Sequence, residues 1–115
     1  MKYLLIIAHD DQFRSSPELV ASIHAWIEEY TRKGIRLVGA PLKPPNEAIT
    51  IPGQTGTKHT RSGPFTTGPL HTAAFEMIEC KNMDQAVEVA QTHPMADRAS
   101  VEVRPIWPEL EQSDA

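Results

Sequence analysis

Residues 2–9, KYLLIIAH, have no polar face. Tyr3, Leu5 and Ile7 lie on one parity, and Leu4, Ile6 and Ala8 on the other. Successive side chains of a strand point to opposite sides, so a strand of this kind has to be covered on both. With Met1, the run holds only about seven apolar residues before Asp10 and Asp11. That is too short for a signal h-region or a membrane span, so it reads as a buried strand of a cytoplasmic protein.

Outward from this strand, Ser15-Ser16-Pro17-Glu18 predicts a helix start, with a serine cap, a proline in the first turn and an acid at the positive dipole end. Leu19, Ile23, Trp26, Ile27 and Tyr30 make its apolar stripe, and Gly34 after Arg32-Lys33 closes it. Residues 35–42 read as a second strand, halted by Pro41, Pro44 and Pro45. Residues 43–71 are loop-rich, with a short edge hairpin expected between AITI (48–51) and TKHT (57–60). Residues 71–79 alternate, with Ala73, Phe75 and Met77 on one face and Thr72, Ala74, Glu76 and Ile78 on the other. A second helix starts at Asn82 with Gln85 as its capping-box partner, carries a stripe of Met83, Ala86, Val87 and Ala90, and ends at Pro94. In residues 100–106, Val101 and Val103 alternate with Glu102 and Arg104.

The order β-α-β-hairpin-β-α-β predicts an α+β fold, a ferredoxin-like two-layer sandwich over residues 1–108 followed by an acidic tail at 109–115. Two helices cover only one sheet face. The second apolar parity of the first strand therefore predicts a homodimer through the open sheet face.

Composition excludes several classes of partner. Glu109, Glu111 and Asp114 belong to the tail; without them 12 of the 15 acids remain against 11 Lys and Arg. A near-neutral body with no basic stripe argues against nucleic acid, and no segment argues for a membrane. The single cysteine, Cys80, rules out an internal disulfide or a cysteine-rich zinc site and fits a reducing compartment.

Five stretches, in order and over nearly the whole chain, resemble the YCII-related family, particularly its DGPF-type branch. They are KYLLIIAHDD (2–11), GIRLVGAPLKPP (34–45), SGPF (62–65), MDQAVEVAQTHP (83–94) and VEVRPIW (101–107). The resemblance implies a ferredoxin-like domain of the dimeric α+β barrel type, joined sheet to sheet, with a pocket between sheets and loops. It also implies kinship with small enzymes that use a histidine–aspartate pair, one of which eliminates HCl from a chlorinated ring-fission product. This chain departs from that pattern twice. Ser62 stands where the DGPF branch carries its aspartate, and the helix histidine of enzyme-like members falls at Ile23, one residue before His24. One residue turns a helical side chain by about 100°.

Among the residues themselves, HTRSGPFTTGPLH (59–71) has the makings of an anion-binding rim: Arg61, Ser62 and the backbone around Gly63 and Gly68. It equally suits a pair of turns with Phe65 plugging the core edge. GQTGTK (53–58) is not a phosphate-binding P-loop, because its Lys does not directly follow the second Gly. His9 ends the first strand beside Asp10 and Asp11, where a general base is well placed and a solvated strand end is equally ordinary. His24 sits at the flank of the helix stripe. His59 and His71 lack an acid at metal-ligand spacing, so neither a metal nor a cofactor is expected. Glu102 and Arg104 point to the open side if Val101 and Val103 face the helices. There Arg104 either pairs with Glu102 or Glu76 or holds a small anion.

Ser62 and the displaced histidine favour a non-catalytic binding or accessory role for a homodimer with a small-molecule pocket. The alternative is a weak lyase-type or proton-transfer enzyme on a small carboxylated compound, with His9 as base, Arg104 as anion clamp and the 61–65 loop as lid.

Overall fold

In the computed structural model, which describes residues 1–53 and 59–108, the elements run β1 (Lys2–His9), α1 (Pro17–Arg32), β2 (Arg36–Pro41), β3 (Ile49–Thr50), β4 (Arg61–Ser62), β5 (His71–Glu79), α2 (Met83–Thr92) and β6 (Ser100–Pro105). Strands β2-β5-β1-β6 form one antiparallel sheet, and β3-β4 form a separate two-stranded hairpin. This is the ferredoxin-like arrangement expected from the element order. The acidic tail and the start of the TKHT segment lie outside the described residues.

The apolar character of β1 follows from its place. It lies between β5 and β6, so its backbone is paired on both edges. Tyr3, Leu5 and Ile7 face the helices and are at most 2% exposed. Burial on that scale contributes about 1.5–3 kcal/mol for each side chain of this size. Leu4 and Ile6 face the other way, opposite Met77 and Phe75 of β5, and are half-buried with no helix over them.

The helix ends form as their residues dictate. Ser16 Oγ accepts from Leu19 N at 3.1 Å, and Gly34 leaves α1 at φ +75°. Asn82 Oδ1 accepts from Gln85 N at 2.9 Å, while Gln85 Oε1 accepts in return from Lys81 N at 2.7 Å, one residue before the cap. On α1, Leu19 and Trp26 are buried; Trp26 Nε1 also donates to Thr92 Oγ1 at 2.9 Å, tying the two helices together. The stripe of α2 is rotated from the expected one. Ala86, Val89 and Ala90 are buried, whereas Met83 and Val87 face solvent, because the short helix meets the sheet along its 86/89/90 edge.

The hairpin pairs Ile49 with Ser62 and Thr50 with Arg61, so its first strand falls within the expected 48–51 while its second lies just beyond the expected 57–60. Gly63, at φ +98°, leaves it, and its carbonyl accepts from Thr50 Oγ1 at 2.7 Å. Phe65 does not plug the core edge: it lies in the loop that follows β4, outside both core clusters, and is 77% exposed. Among the described residues no helix is long and apolar enough to cross a membrane.

Candidate functional site

Register decides the placement of Glu76. It pairs with Leu5 across β1–β5 and so lies on the helix-covered face, 4% exposed. The expectation that Glu76 meets Arg104 on the open side is therefore corrected: the two residues occupy opposite faces of the sheet. A buried carboxylate needs partners, and Glu76 has two. Arg36 Nε donates to Oε1 at 3.0 Å, and His93 Nε2 lies 3.2 Å from Oε2.

The backbone N–H of Met95 donates to His93 Nδ1 at 3.1 Å. That nitrogen is thus an acceptor, and Nε2 is the one left to carry a proton toward Glu76. Gly39 pairs with Glu76 across β2–β5. A Cβ there would fall on Glu76 Oε1 and lie 2.6 Å from the Phe75 carbonyl and 2.9 Å from Arg36 Nη2. Only glycine leaves room for the ion pair.

This pair floors a cavity of about 360 Å³ between α1 and the sheet. Ile7, Leu19, Ile23, Ile27 and Met95 supply its apolar walls, and Arg36, Glu76 and His93 its polar floor. His9 and His24 line it as well. His9 Nδ1 lies 2.9 Å from the Asp10 carbonyl oxygen, which can only accept, so in the neutral ring this nitrogen is the donor and Nε2 the acceptor. The ring stacks on Phe13 at 4.3 Å and meets His71 edge-on at 5.2 Å. An imidazole at the end of an apolar slot is a group chemically able to accept or give a proton there.

The YCII-related domain matches residues 1–110. The chain belongs to the YCII-related family. No curated protein matches it in sequence. Among solved structures, this YCII-related chain is similar to 5-chloro-2-hydroxyhydroquinone dehydrochlorinase from Burkholderia phenoliruptrix AC1100, in complex with 2,5-dihydroxybenzoquinone. The identity is 17% and the TM-score 0.53, over 96% of this chain and 98% of that one. At that identity the likeness is one of fold.

Within this YCII-related domain, the structure brings His9, His24 and Glu76 to one cavity but separates the other expected residues. Arg104 and Glu102 sit exposed on β6 and pair with each other; neither lines the cavity. Arg61 and Ser62 are exposed on β4. Phe65 lines a different hollow, of about 460 Å³, between the hairpin and Leu42, Pro44 and His71. Sheet order keeps Arg104 from the 61–65 loop, because β6 is one edge of the sheet and β2, which leads directly into the Leu42–Pro44 wall of that hollow, is the other. Arg36, Gly39 and His93 were missed by sequence reasoning. Strand alternation could not reveal Arg36, because the register slips between Arg36 and Val38 and leaves Val38 exposed.

Proposed function

We propose that this domain binds a small, planar, oxygen-bearing ring compound in the cavity between α1 and the sheet. The observation that carries the reading is an apolar slot floored by a buried Arg36–Glu76–His93 network. Its volume lies within the range typical of small-ligand sites, and it combines apolar walls with a few polar groups in the way such sites do. The fold likeness to a dehydrochlorinase that binds 2,5-dihydroxybenzoquinone supports the same class of ligand. Titrating the protein with that quinone is the first test: saturable binding, weakened by Leu19→Trp in the cavity wall, is expected. No binding up to millimolar concentration overturns the reading.

A second reading is favoured by one specific observation, the imidazole of His9 at the cavity with no partner on Nε2 among the described residues. On it the domain is a proton-transfer or lyase-type enzyme with His9 as base. Exchange or elimination that is lost in His9→Gln with binding retained separates catalysis from binding alone. Assembly is part of the proposal: Leu4, Ile6, Phe75, Met77 and the exposed Val38 form an open apolar sheet face suited to a second copy of the chain.

A further inference from the structure

The charged floor of the cavity discriminates among ligands. We infer that Arg36 is the anion contact of the site, and that its ligand is a ring compound bearing a carboxylate or a deprotonated ring oxygen. This rests on the cavity being the binding site and adds to it the charge of the occupant.

The argument is one of unused donors. A guanidinium carries five N–H groups. Among the described residues, Arg36 spends only Nε, on Glu76. Its side chain is 15% exposed and lines the cavity, so its terminal nitrogens are the strongest donors available to an occupant there. Glu76 is engaged on both oxygens, by Arg36 and by His93, and is thereby held in place beside the Arg36 guanidinium. His93 is held in turn by the Met95 N–H. Glu76 and His93 are thus positioning residues: they fix the Arg36 fork, and bare Gly39 lets it lie flat against β2. His24 and His9, the other titratable groups at the cavity, add no negative charge to oppose an anion. A bidentate fork in an apolar setting favours a planar anion over a neutral isostere.

The test compares benzoate with benzamide, equal in shape and different in charge, by amide chemical-shift titration. Benzoate is expected to bind wild type at least about tenfold more tightly, the worth of one hydrogen bond to a charged group. The double variant Arg36→Gln/Glu76→Gln removes both charges together and avoids leaving either buried alone, so it is the form most suited to folding. Its preference should fall to near unity while benzamide binding is kept. Glu76→Gln alone keeps an oxygen that can hold Arg36 Nε and removes the charge that opposes an anion, so it should strengthen benzoate binding; benzoate binding weakened to the level of benzamide would overturn the role of Arg36. A preference unchanged in the double variant overturns the role of Arg36 while leaving the cavity as the site. Absence of binding by both compounds overturns the cavity reading together with it.

Discussion

His93 Nε2 faces Glu76 Oε2 at 3.2 Å, and both side chains are buried although the residues are 17 positions apart. The contact joins the end of α2 to the middle of β5 and closes the polar floor beneath α1. Replacing His93 by Ala leaves one carboxylate oxygen without a donor and opens a void against Trp26, whose ring lies 4.6 Å away. The expected loss is about 2–4 kcal/mol of stability, read from urea unfolding. His93→Gln, which keeps a donor, should cost less. Equal losses in the two variants would show that volume alone matters here.

Gly39→Ala is expected to destabilise by about 1–3 kcal/mol or more, because the new methyl displaces the Glu76 carboxylate and meets the Phe75 carbonyl. Gly53→Ala, where a Cβ would meet nothing within 4 Å, should change little. Thermal melts of the two variants side by side check this. A neutral Gly39→Ala would show that the ion pair has room to move.

Burial pushes the Cys80 thiol above its ordinary value of 9.0, against the smaller opposing pull of the N-terminal ammonium. The folded chain therefore holds this proton more tightly than the unfolded chain does. The resulting stability is present below the unfolded value and is lost as pH rises through the folded one, so stability declines above about pH 9. Cys80→Ala should flatten that decline. In the native protein the thiol should react slowly with iodoacetamide at pH 8 and rapidly once urea unfolds the chain.

Leu4→Asp or Ile6→Asp places a charge on the open sheet face. If a second copy covers that face, either variant should yield monomer or precipitate in light scattering, since an unpaired charge would be buried. A wild-type protein that sediments as a monomer at micromolar concentration would remove the proposed homodimer.

Much of the fold was legible because it depends on local signals. Two apolar parities at 2–9 marked a strand needing cover on both faces, and Ser16, Gly34 and Asn82 marked helix ends through backbone groups a few residues away. Where a signal was weak, reading slipped: α2 is only ten residues long, and the stripe read through Val87 gave way in the packed structure to one through Val89.

The candidate site was legible only in part. His9 and His24 stood out by residue type, and both line the cavity. Arg36, Glu76 and His93 come from three elements and meet only because β2 pairs with β5 and α2 ends over them. From the chain alone, Glu76 was one of an alternating series whose two faces looked alike. The sequence by itself determined the elements and their order, since hydrophobic period and caps act within a few residues. Tertiary structure alone decided which face of β5 went inward, because a one-residue change of register moves every side chain to the opposite side of the sheet. With that choice Glu76 became the buried partner of Arg36 and His93 instead of a surface partner for Arg104.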